Sequence, residues 1–205
     1  PRLYARYNTN LSRVTYRGVD LYRDILSRIR DWQICASLDG TNRIGEYIRT
    51  GLDYEQFCRN FEAGLEIATH PRQMRLDFTL TLPGMFEIDA MERLSQTYGV
   101  QLLAKVVFSF TPDIVMSPLA LPREILHPWL DQLIAKCTKD SMRDVLIQLK
   151  NRPTFAEQWP NSWQAGLKKG KQRILKLEQI RTQQITMTDI LAQRPDVLEW
   201  WMQIA

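Results

Sequence analysis

Up to about residue 118 the chain alternates between two hydrophobic rhythms, one of period two and one of period three to four. Period-two runs at residues 3–9, 33–39, 74–82 and 100–110 predict strands, because successive strand side chains point to opposite faces. In the third run Met74, Leu76, Phe78, Leu80 and Leu82 share one face, and Arg75, Asp77, Thr79 and Thr81 share the other. In the second, Ile34, Ala36 and Leu38 oppose Gln33, Cys35, Ser37 and Asp39. In the fourth, Ala104, Val106, Phe108 and Phe110 oppose Lys105 and Ser109. Helical spacing fills the intervals. Leu21, Ile25 and Ile29, with Tyr22 and Leu26, predict one helix. Phe57, Cys58, Phe61 and Leu65 predict another, opened by a capping box of Asp53 and Gln56. Ile88, Met91, Leu94 and Tyr98 predict a third, stopped by Gly99.

Strand and helix in alternation argue for a parallel sheet with crossover helices. Parallel strands covered on both faces read as continuous apolar runs, and these do not. Their apolar face can bury against helices, which leaves the polar face to line something wet or a ligand. A closed eight-stranded barrel fills its interior with aliphatic side chains. A polar lumen therefore predicts an open, partial barrel with a binding cavity. An irregular sheet with one solvated face is the alternative.

From about residue 119 the strand rhythm is lost. Ile125, Trp129, Leu130 and Leu133 predict a helix, and Val145, Leu146 and Leu149 another with Ser141 as its cap. Residues 151–161, with Pro153 and Pro160, read as a loop. The run 163–171 leads into a helix carrying Ile174, Leu175 and Ile180, and a last helix is expected over 188–202. The expected organisation is thus a barrel portion over residues 1–120 and a mostly helical extension over 121–205.

Composition narrows the class. A chain of 205 residues, 44% of them hydrophobic, has enough apolar material for a real core. No run is long and apolar enough to predict a membrane span, so no membrane association is expected. Cys35, Cys58 and Cys137 are far apart and odd in number, which predicts no disulfide framework and points to a reducing, cytoplasmic setting. A net charge of +4 is mild. Two histidines, no nucleophile elbow and no phosphate loop give a hydrolytic triad or a nucleotide fingerprint no support.

The candidate chemistry sits where strands end, since ligands of parallel α/β proteins gather at the carboxyl ends of strands. Ser37 and Asp39 close the second strand before Gly40, and Arg49 follows beside Gly51. Each has a plainer reading. Ser37 and Asp39 can build the turn, Arg49 can be an ion-pair partner, and Asn10 can be a turn residue. Cys35 and Cys58 read better as small buried side chains than as ligands.

Asn8-Thr9-Asn10 at one strand end, Ser37-Leu38-Asp39-Gly40 at the next, then Tyr47-Ile48-Arg49-Thr50-Gly51 and a helix containing Asn60 resemble the middle of a radical S-adenosylmethionine (radical SAM) enzyme. Pro118 to Pro122 is similar to that family's barrel exit, and Arg181 to Trp201, with Asp189 and Arg194 to Leu198, resembles the short "twitch" extension of some members. The resemblance covers about residues 3–122. It implies an α/β fold, a partial (β/α)6 barrel whose last four strands are present here, followed by a mostly helical C-terminal extension. At about 30 residues per unit, two βα units of about 60 residues would lie upstream of Pro1. The family's cluster-binding Cys-x3-Cys-x2-Cys belongs to that upstream part, so this chain is expected to hold no metal ligand and no catalytic residue of its own.

The resemblance further implies a [4Fe–4S] cluster that cleaves S-adenosylmethionine to a 5′-deoxyadenosyl radical, which abstracts hydrogen from substrate. By position, Ser37 would bond a ribose hydroxyl or the methionine end, and Arg49 would pair with the methionine carboxylate. Asn10 and Asp39 would lie near the cofactor, with Thr79 and Thr81 lining the lumen. Implied partners are a small-molecule or peptide substrate and an electron donor such as a flavodoxin or ferredoxin. Arg6, Arg75, Asp77 and Lys105 are lumen candidates that suit a polar or charged substrate. Competing readings are a nucleic-acid-binding module built on the basic helix 168–181 with Trp159 and Trp163, and a (β/α) barrel enzyme without iron. A charged helix face is the simpler account of that helix, so nucleic acid is not expected as a partner.

Overall fold

The computed structural model describes residues 4–181 and 185–204. Leu3 of the first expected strand and residues 182–184 of the tail lie outside the described residues. The chain divides into two compact units, residues 1–79 with 89–103 and residues 80–88 with 104–205.

The first unit is mixed α/β. Strand β1 (Tyr4–Thr9) is followed by a small hairpin, β2 (Thr15–Tyr16) and β3 (Val19–Asp20), and then by β4 (Asp31–Ser37). Helices α1 (Asn42–Ile48) and α2 (Tyr54–Ile67) lead to β5 (Met74–Leu80), and α3 (Ile88–Thr97) leads to β6 (Gln101–Val106). The four long strands form one parallel sheet in the order β1-β4-β5-β6. In register, Thr9 pairs with Ala36, Ala36 with Leu76, and Ser37 with Asp77. This order follows the sequence without reversal. A doubly wound sheet reverses at a switch point and carries helices on both faces. Right-handed crossovers in one direction send every connection to the same face.

Burial agrees with that one-sided winding. Ile34, Ala36, Met74, Leu76, Phe78 and Leu80 are fully buried, as their alternation predicts. Helix α2 lies over this face, and Gly64 allows it to come close. A Cβ there would stand 2.6 Å from Met74 Cε and 2.8 Å from the Tyr22 ring. Phe57, Phe61 and Tyr98 continue the layer, with ring centroids 5.9 and 5.1 Å apart in succession. Of the capping box expected at α2 the Asp53 half is present, Oδ1 accepting from Gln56 N at 2.8 Å, while Gln56 Nε2 donates to Asn60 Oδ1 at 2.8 Å instead.

Two expectations in the strand region are corrected. Residues 21–29 do not form an α-helix but a wide turn over Leu21–Ile25 and a tight one over Leu26–Arg28. The hairpin before them delivers Leu21 N to Val14 O, and Asp20 Oδ1 takes the amides of Tyr22 and Arg23. Only Tyr22 and Leu26 then face inward, and Ile25 stays exposed. The strand expected over 100–110 ends at Val106. Val107 N donates to Leu80 O, where β5 itself ends, and beyond it Phe108 and Phe110 stack on each other with 71% and 83% exposure.

The second unit is helical: α4 (Arg123–Lys136), α5 (Asp140–Lys150), α6 (Phe155–Gln158), α7 (Trp163–Ile180), α8 (Met187–Leu191) and α9 (Pro195–Gln203). Ser141 lies inside α5, whose N-cap is Lys139. The expected loop 151–161 contains α6, because Thr154 and Glu157 form a capping box just after Pro153. The single helix expected over 188–202 is two. Pro195 disfavours helical backbone at Arg194, which sits at φ −140°, ψ 100°, so α9 starts afresh with proline in its first turn. Among the described residues, no helix is long and apolar enough to cross a membrane.

Candidate functional site

The carboxyl ends of β4 and β5 are held by one carboxylate. Asp39, 6% exposed, accepts from Arg49 Nε at 2.7 Å through Oδ2 and from the Thr79 amide at 2.8 Å through Oδ1. Leu38 N donates to Asp77 O, which carries the β4–β5 pairing up to this point. The turn after Asp39 then packs backbone against helix. A Cβ at Gly45 of α1 would stand 2.1 Å from Gly40 O, so only glycine lets α1 start there. Arg49 is the C-cap of α1, and Gly51 at φ +85° lets the chain leave toward α2. The result is a clasp joining a strand end, a helix end and the neighbouring strand.

Ser37 stands beside this clasp, in register with Asp77 on the polar face. Its side chain is half-buried, and among the described residues nothing bonds its hydroxyl. Thr79 is half-buried as well. Below this layer the side chains of the polar face contact one another. Arg6 Nε donates to Cys35 Sγ at 3.3 Å, a bond that raises the Arg6 pKa above its ordinary value. Arg75 Nε and Asp77 Oδ1 lie 3.0 Å apart as an ion pair, with side chains 11% and 9% exposed. That pair is off-axis, and neither of the two atoms has a hydrogen-bond partner. Long arginine stems cover the strand surface that alternation alone leaves bare. Lys105 is exposed on β6.

The other named residues have local duties. Asn10 is exposed, and its Oδ1 accepts from Ser12 N in an Asx turn. Thr81 is buried and accepts from Gly84 N, capping the turn Pro83–Glu87. Asn60 is buried in α2 and donates to Leu11 O at 2.6 Å, which fixes the loop after β1. His70 Nδ1 accepts from Arg72 N, and the His127 pKa is lowered, first by burial and then by Arg123. Cys35, Cys58 and Cys137 form no disulfide, and no group of His, Cys, Asp or Glu among the described residues is arranged to hold a metal ion. The Asp39–Thr79 bond was not legible in the sequence, since it spans 40 positions and involves a main-chain donor.

The basic helix α7 spends much of its charge internally. Lys169 and Arg173 pair with Asp113 at 3.5 and 3.2 Å. The Asp113 carboxyl is held below its ordinary range, first by the Thr111 hydroxyl and then by these two cations. Lys171 Nζ donates to the carbonyls of Trp201 and Ile204, each at 2.8 Å, and so caps α9. Comparison with protein-family models, curated proteins and solved structures finds no match to this chain.

Proposed function

We propose that this chain is the cofactor-positioning half of a radical SAM enzyme, with the cluster-binding cysteines supplied by sequence upstream of Pro1. What carries the reading is the unengaged Ser37 hydroxyl beside the Asp39–Arg49–Thr79 clasp, at the carboxyl ends of a sheet wound in one direction. One-directional winding is the arrangement a partial (β/α)6 barrel requires, and the polar face then becomes the inner one. When bound, the cluster and S-adenosylmethionine supply the one-electron chemistry.

In this reading Ser37 bonds the ribose or methionine end of the cofactor. Asp39 acts on the cofactor indirectly, by aiming Arg49. With Nε on Asp39, the Arg49 guanidinium still carries four N–H donors for a carboxylate. Arg75 and Asp77 form the wall behind Ser37 and suit a polar substrate, a small molecule or a peptide. Residues 121–205 would be the twitch-like extension that the resemblance implies. A cytoplasmic flavodoxin or ferredoxin would deliver the electron.

The test is a titration of the chain with S-adenosylhomocysteine, followed through backbone amide resonances. Saturable shifts are expected at Ser37, Asp39 and Thr79, and Ser37→Ala should weaken binding by about two- to tenfold, the worth of one hydrogen bond. No saturable shift at these amides up to ~10 mM, or equal binding by Ser37→Ala, would overturn the assignment.

A further inference from the structure

The second unit holds a cavity of about 480 Å³ between the start of α7 and the end of α9. That is the size of a small-molecule site. Its apolar surface comes from Trp163 and Leu167 on α7 and from Trp200 and Ile204 on the facing segment. Leu167 and Trp200 are buried, while Trp163 and Ile204 are half-buried at the rim. The spacing is built in. Trp163, Leu167 and Lys171 follow one another at i, i+4 along one ridge of α7. Lys171 clamps the carbonyls of Trp201 and Ile204, so the end of α9 is held at a fixed distance from that ridge.

The polar groups at the cavity are one cation and two amides. Lys168, Gln164 and Gln203 line it, Gln203 being engaged with Glu199 at 3.2 Å, and among the described residues no carboxylate does. Lys169 is paired with Asp113 and Lys171 is spent on α9, but Lys168 is exposed and has no ion-pair or hydrogen-bond partner among the described residues. Gln164 is likewise without a partner there. Two indoles beside a free ammonium and a free amide recognise a flat apolar body bearing one negative group.

We propose that this cavity binds a planar aromatic carboxylate, with the ring against Trp163 and Trp200 and the carboxylate on Lys168. The site does not depend on the radical SAM reading, because none of its residues takes part in the polar sheet face. The probes are indole-3-acetate and its neutral counterpart indole-3-acetamide, titrated into the full chain and followed by the indole Nε1–H resonances. The acetate should bind saturably with one site, shifting the signals of Trp163 and Trp200. Lys168→Met should weaken the acetate by about fivefold, as befits an exposed ion pair, and leave the acetamide unchanged. Ala165→Trp, at an exposed position in the lining, should fill the cavity and remove both ligands while circular dichroism stays native. No saturable binding up to ~10 mM, or binding that survives Ala165→Trp, would overturn the site. Equal affinity for acid and amide, untouched by Lys168→Met, would overturn the carboxylate assignment.

Discussion

Replacing Asp39 separates the two bonds that hold the β4–α1–β5 clasp. In Asp39→Asn the amide oxygen can still accept from Thr79 N, but its NH2 group then faces the Arg49 Nε donor. What is lost is the charge-assisted bond, about 2 kcal/mol for a hydrogen bond to a charged group. In Asp39→Ala the Thr79 amide is stranded as well, and an unsatisfied buried donor adds about 1–2 kcal/mol. The total for alanine is then about 3–4 kcal/mol. At ~2–4 °C per kcal/mol for a chain of this size, the melting temperature falls by about 4–8 °C for asparagine and by 6–16 °C for alanine. Urea midpoints measure the two losses, and Arg49→Met in the parent and in the Asp39→Asn background isolates the ion pair. A local readout comes from amide exchange: Thr79 should stay protected in Asp39→Asn and lose protection in Asp39→Ala. If both variants lay within ~0.5 kcal/mol of the parent, or if Thr79 exchange were the same in both, the clasp would be wrong.

Other perturbations probe different parts of the account. Gly45→Ala gains about 1 kcal/mol of helix propensity but drives a Cβ into the Gly40 backbone, so a net loss of about 2 kcal/mol is expected in a urea titration; an unchanged midpoint would refute the contact. Lys171→Met removes the cap on α9 and should cost about 1–2 kcal/mol while altering Trp201 fluorescence, and a silent variant would show that the tether is idle. Arg123 first, and then the Thr154 amide, hold the Glu157 carboxyl down at about 2 against an ordinary 4.5. The stabilisation is therefore complete above pH 4.5 and fades as pH falls through about 2. Glu157→Gln, which can keep the capping box, should be less stable than the parent at pH 6 and converge with it near pH 2. A stability gap that stays constant across that range would show that the Arg123 pairing contributes nothing.

The parts of the fold that local chemistry dictates were legible in the sequence. Period-two alternation placed the cores of β4 and β5, and the Asp53 cap and Gly99 stop bounded α2 and α3. Segments decided by what lies across from them were not. Residues 21–29 carry helical spacing, yet the hairpin before them and Asp20 turn the chain too soon. Phe108 and Phe110 continue the alternation of β6, but β5 has already ended and offers them no partner. In the same way Ser37, Asp39 and Arg49 could be picked out from their position at a strand end, while the Thr79 amide that locks Asp39 could not. The polar strand faces pointed to a lumen, and the arginines that fold across Cys35 and Asp77 came to light only with the side chains in place.

We propose that Ser37, Asp39 and Arg49 form the cofactor-positioning part of a radical SAM barrel, and sequencing the coding DNA immediately upstream of the Pro1 codon decides it. An in-frame strand followed by Cys-x3-Cys-x2-Cys is expected. A reading frame that opens at or near Pro1, or one that continues upstream with no such cysteine cluster, would overturn the proposal.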